Sequence, residues 1–76
     1  MNQQQFFENL KEALEIEDRE LDLTDQFKEY EEWDSLARLS LIAMLDEEYD
    51  VILEDAIFNQ INTVQELLDA VEQKAD

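Results

Sequence analysis

An all-α fold follows from three features of this 76-residue chain. It contains no glycine and no proline, so the usual punctuation of strands and tight turns is missing. Its composition leans on Leu, Glu, Ala and Gln, all strong helix formers. Its apolar residues recur three and four positions apart rather than in alternation. Together these predict a four-helix bundle with a long first loop and a short third helix, forming one domain over residues 1–76.

Each element has its own signal. Phe6, Phe7, Leu10 and Leu14, joined by Ala13, give the apolar stripe of a first helix over about residues 3–15. From Ile16 to Trp33 the periodicity dissolves into acids, leaving Leu21, Leu23, Phe27, Tyr30 and Trp33 as isolated apolar residues. This predicts a long ordered loop pinned by those side chains, and a loop of that length in a compact domain has a role of its own. Asp34 is a good N-cap type, so the second helix opens at Ser35 and runs to about Tyr49. On a helical wheel Leu41, Ile42, Leu45 and Tyr49 form its core face. Leu36, Leu39 and Ala43 fall opposite, beside Ser40 and Glu47, with Asp46 at the edge. A short third helix fits Asp55 to Gln60, with Ile57, Phe58 and Ile61 inward and Asn59 and Asn62 ending it in place of glycine. Thr63 to Glu66 reads as a capping box, starting a fourth helix whose stripe is Val64, Leu67, Leu68 and Val71 and which reaches about Lys74.

Charge and composition narrow the function. The chain holds 22 acidic residues against 5 basic ones, for a formal charge of −17. Nucleic acid and anionic membranes repel such a surface, and its partners are expected to present basic patches. Self-repulsion predicts a fold strengthened by salt and magnesium. With no His and no Cys, imidazole bases, catalytic triads, disulfides and thiolate metal sites are excluded. A domain this short has a thin core, about 4–10 kcal/mol of stability, and little room for an enzyme cleft. The N-terminal Met1 to Phe7 lacks a basic signal-peptide region, and the longest purely apolar run, Leu41 to Leu45, is far short of a membrane span. A cytoplasmic monomer is expected.

The most informative residue is Ser35, at the junction of loop and second helix. The first turn of a helix carries N–H groups without intrahelical partners and a partial positive charge. A phosphodiester on the Ser35 oxygen is therefore well placed. The sequence Asp34-Ser35-Leu36 resembles the attachment motif of acyl carrier proteins. The likeness extends to Phe27, eight positions before Ser35, to Asn62-Thr63-Val64-Gln65 at the start of the last helix, and to the acidic stretch Leu45-Asp46-Glu47-Glu48-Tyr49-Asp50. This resemblance implies a bundle of acyl-carrier-protein type with 4′-phosphopantetheine joined to Ser35 by a phosphopantetheinyl transferase. The arm's thiol then carries acyl or aminoacyl cargo as a thioester between enzymes, and the chain itself is not a catalyst. The resemblance also implies that Asp34 contacts the transferase, and that Leu36, Leu39, Ala43, Asp46 and Glu47 form the face that meets partner enzymes.

Several positions depart from the fatty-acid carrier pattern. Ala37, Arg38 and Ser40 stand where further acids are usual, and Trp33 and Glu32 where small residues and glycine are usual. A specialised free-standing carrier fits this better than the housekeeping fatty-acid carrier. Arg38 points toward the core side of the wheel, and its guanidinium is expected to pair with Glu29 or Glu31 of the loop. Trp33 reads either as a staple over the core or as a wall beside the prosthetic arm. Leu36 and Leu39 read either as a docking strip or as packing beneath the loop. Two other classes compete with a carrier. One is an acidic helical module that binds a basic partner. The other is a carboxylate enzyme or metal protein built on Asp46, Asp50, Glu54 and Asp55, although no calcium-loop spacing is present.

Overall fold

The computed structural model describes residues 2–75. Four helices follow one another: α1 over Gln3–Leu14, α2 over Ser35–Tyr49, α3 over Asp55–Gln60 and α4 over Val64–Ala75. A single 3-10 turn, Phe27–Glu29, interrupts the long connection between α1 and α2. This is the predicted all-α bundle, with its long first loop and short third helix.

The helices begin and end for local reasons. Asn2 caps α1 by accepting from the Gln5 N–H at 3.1 Å. Lacking glycine, the chain closes α1 and α2 with Glu15 and Asp50 in left-handed backbone, at φ of 59° and 56°. The predicted asparagine stop of α3 is not formed. Buried Ile61 leaves the helix in extended backbone instead, because its side chain belongs in the core. The capping box of α4 is present and doubled. Thr63 Oγ1 accepts from the Glu66 N–H at 3.2 Å, and one Glu66 carboxylate oxygen accepts from the N–H groups of Asn62 and Thr63 at 2.9 and 3.0 Å.

α1 packs against α2, and α2 against α4. Phe6, Leu10 and Leu14 meet Leu41 and Leu45 of α2 and Val64, Leu67, Leu68 and Val71 of α4 in one continuous core. The buried stripe of α2 is Ala37, Leu41, Met44 and Leu45. It is therefore turned from the predicted face: Ala37 and Met44 enter, while Ile42 and Tyr49 lie at the edge, half-buried. The edge position of Tyr49 leaves its hydroxyl free to accept from the Asn9 side chain of α1 at 3.0 Å, so a polar group stays partnered at the rim.

The long loop is ordered by both side chains and backbone. Phe27 is fully buried, and Ile16 and Leu21 are buried with it. Arg19 and Glu32 form a two-pronged pair at 2.9 and 2.6 Å that closes the loop on itself, with the guanidinium 5.2 Å from the Tyr30 ring. Burial and a hydrogen bond donated to Asp25 push the Tyr30 phenol well above its ordinary range. The loop also completes the start of α4: the Val64 and Gln65 N–H groups donate to the carbonyls of Asp25 and Leu23, each at 2.9 Å.

These contacts set an acid limit to stability. Glu66 is held below its ordinary value by the N–H groups of Thr63 and Asn62, Glu32 by Arg19, and Asp22 by the N–H and hydroxyl of Thr24. A carboxylate whose folded value is lowered contributes stability above its unfolded value, and loses it as the pH falls through the folded one. Urea midpoints should therefore hold from pH 7 to about 5 and decline below about 4. The advantage of the parent over Glu66→Gln should close over the same range. A gap between the two that persists to pH 2 would show that the carboxylate charge is not what the cap uses.

Candidate functional site

The candidate site is the junction where the loop delivers the chain into α2. Asp34 is extended, with φ at −156°, and its Oδ1 accepts from the Ala37 N–H at 2.7 Å. That bond fixes the helix start, so Ser35 is the first helical residue and is exposed. The N–H groups at this end lack intrahelical partners, and the axis dipole adds positive potential.

Trp33 is stapled from behind. Its ring lies stacked on Phe58 of α3, at 6.0 Å between centroids and 14° between planes, and meets Phe27 edge to face at 5.3 Å. Phe27 also meets Phe58 edge to face at 6.1 Å. The three rings tie the end of the loop to α3, which is the staple over the core expected of Trp33.

Arg38 does not pair with Glu29 or Glu31. Its guanidinium lies 5.0 Å from the centroid of Phe58 and pairs with Asp55 at the start of α3, at 3.0 Å. The aromatic face draws the cation toward α3, where Asp55 is its ion partner. Lys28 reaches the same ring from the loop: its Nζ is 5.2 Å from the centroid and donates to the Phe58 carbonyl at 2.8 Å. Burial, then the neighbouring Arg38 charge, pull the Lys28 ammonium below its ordinary range. That Lys28 and Arg38 share one ring was not evident in the sequence, because it depends on where α3 packs.

The surface beside the first turn of α2 is acidic. A groove of about 340 Å³ runs between α1, the loop and α2, with Glu15, Glu31, Glu32 and Asp34 in its lining. Along the outer face of α2, Leu36 and Leu39 are 71% and 61% exposed, so they do not pack beneath the loop. Ala43, Asp46 and Glu47 are exposed beside them. Ile52, in the connection to α3, is a further large apolar side chain left in solvent, at 68%. Asp46, Asp50, Glu54 and Asp55 do not converge: among the described residues no group of acids is placed to hold a metal ion. Among the same residues no helix is long and apolar enough to cross a membrane.

Comparison with known proteins places this junction in context. The chain is similar in structure to holo acyl carrier protein from Geobacter metallireducens, solved in solution, with a TM-score of 0.80 over 93% of this chain and 82% of that one at 20% identity. That likeness carries the fold. No curated protein matches the sequence. A family model described as a phosphopantetheine attachment site matches residues 4–71, a span that runs from α1 through the Ser35 junction into α4. The chain belongs to the phosphopantetheine attachment site family.

Proposed function

We propose that residues 1–76 act as an acyl or aminoacyl carrier domain whose Ser35 bears 4′-phosphopantetheine. The observation that carries this reading is the exposed Ser35 at the first position of α2, capped by Asp34, inside the span matched by the attachment-site model. The surroundings suit a phosphodiester: first-turn N–H groups and the helix dipole favour the anion, and Arg38 follows Ser35 by three residues on the same helix. When bound, the group supplies a flexible arm ending in a thiol that holds cargo as a thioester.

The chain contributes position and recognition rather than chemistry. Ser35 has no imidazole to deprotonate it, since the chain has no His, so the base, the magnesium and coenzyme A come with a phosphopantetheinyl transferase. The Ser35 oxygen forms its bond to the phosphorus next to the pantetheine arm as the pyrophosphate bond of coenzyme A breaks; adenosine 3′,5′-bisphosphate leaves and the serine proton passes to the transferase's base. Asp34, Leu36, Leu39, Ala43, Asp46 and Glu47 then form the face that partner enzymes read. The carboxylates speed encounter with basic patches, and the small apolar strip keeps residence short, as a shuttle needs. Tethering raises the effective concentration of cargo at each active site visited. Glu32, Trp33, Ala37, Arg38 and Ser40 favour a specialised carrier over the housekeeping fatty-acid one.

The test is the intact mass of the folded protein after incubation with a broad-specificity transferase, magnesium and coenzyme A. The expected result is a gain of one arm, placed on Ser35 by fragmentation. A folded protein that stays unmodified overturns the reading in favour of an acidic module for a basic partner.

A further inference from the structure

The chain has only 5 basic residues, yet two of them, Lys28 and Arg38, meet over the same Phe58 ring. Like charges side by side oppose each other, and burial adds to that cost at Lys28. The partner seen for Arg38 is Asp55, 86% exposed, and a surface pair of this kind holds weakly. Two cations gathered in so acidic a chain suit a stronger anion than Asp55.

The anion is local. Arg38 follows Ser35 by three residues, which places their Cβ atoms roughly 5–6 Å apart on the helix surface. Helical side chains lean toward the N-terminus, so the Arg38 stem runs back over the turn that Ser35 begins. A groove lined by the carboxylates of Glu15, Glu31, Glu32 and Asp34 opens beside the first turn of α2, so a phosphodiester on Ser35 is repelled from that side and drawn to Arg38. Repulsion and attraction turn it the same way. Guanidinium also matches phosphate geometry, offering two parallel N–H donors to two oxygens.

Building on the assignment of Ser35 as the attachment residue, we propose that Arg38 exchanges Asp55 for the phosphodiester when Ser35 is loaded. Arg38 is thus a positioning residue for the first atoms of the arm. The exchange has a second effect, because the Arg38–Asp55 pair joins α2 to the start of α3. Loading releases Asp55 from that pair, while Phe58 in the core and the Lys28 bond to its carbonyl keep α3, Asp55–Gln60, in place. The start of α3 then reports to a partner whether the arm is present.

Nuclear magnetic resonance on the apo and loaded forms of the parent and of Asp55→Asn tests this without altering Arg38. In the apo form, Asp55→Asn should shift the Arg38 Nε–H resonance. In the loaded form that shift should be lost, and the Arg38 side chain should show nuclear Overhauser contacts to the arm methylene next to the phosphate. A shift on Asp55→Asn of the same size in both forms, or a loaded form without those contacts, overturns the exchange. Absence of any mass gain on loading overturns the Ser35 assignment instead, so the two failures are distinguishable.

Discussion

Ser35→Ala should fold like the parent and take up no arm. The two halves of this result have separate causes. Modification is lost completely because the only atom that changes is the oxygen to which phosphorus bonds. The fold is kept because Ser35 is exposed, and its neighbour Asp34 supplies the cap to Ala37. Alanine is also the better helix former, so the midpoint should stay within about 4 °C of the parent. The chain offers its own control in Ser40, the second of its two serines. Ser40 is half-buried and lines the groove against α1 rather than opening the helix. Ser40→Ala should take up the arm as the parent does. Intact masses of the three proteins, with circular-dichroism melts alongside, decide the matter. An arm still gained by Ser35→Ala would move the attachment elsewhere and remove the reason for the helix-start geometry.

The parts of this molecule legible in the sequence were those fixed by local rules. Asp34 before Ser35, and Thr63 before Glu66, are caps that any helix start of that composition forms, and both stand where the spacing put them. The stripes of α1 and α4 likewise needed only their own periodicity. α2 was harder because it carries apolar side chains on two sides, so a wheel without neighbours does not say which side is covered. Packing against both α1 and α4 chose Ala37 and Met44 over Ile42 and Tyr49. Arg38 failed for a related reason. The wheel gave its direction, but in a chain of 22 acids direction does not select among Glu29, Glu31 and Asp55. Where α3 lands decides that, and α3 lands according to Phe58. The loop's hydrogen bonds to the start of α4 were equally invisible, since they join the carbonyls of Leu23 and Asp25 to N–H groups some forty residues on.

Phe27→Ala should be the most destabilising single truncation in the loop. Phe27 is fully buried and makes edge-to-face contacts with both Trp33 and Phe58. Removing a buried phenylalanine side chain costs about 3–5 kcal/mol. The whole domain has only about 4–10 kcal/mol to lose, so the variant should melt at least about 12 °C lower and populate the unfolded chain at room temperature. The damage is not confined to a cavity. With the Phe27 ring gone, Trp33 loses one of its two aromatic neighbours and its hold on the core beside the start of α2. Trp33 is the single tryptophan, so its emission should shift to the red along with the melt. High salt should recover part of the loss, because screening a charge of −17 favours the compact state whatever the packing. A variant that melts within about 4 °C of the parent would mean that the loop is held by its backbone bonds to α4 and by Arg19 with Glu32, not by its aromatic staple. The distinction bears on function, because a loop fixed by the Phe27–Trp33–Phe58 cluster transmits any motion of α3 directly to the turn that presents Ser35, whereas a loop fixed to α4 does not.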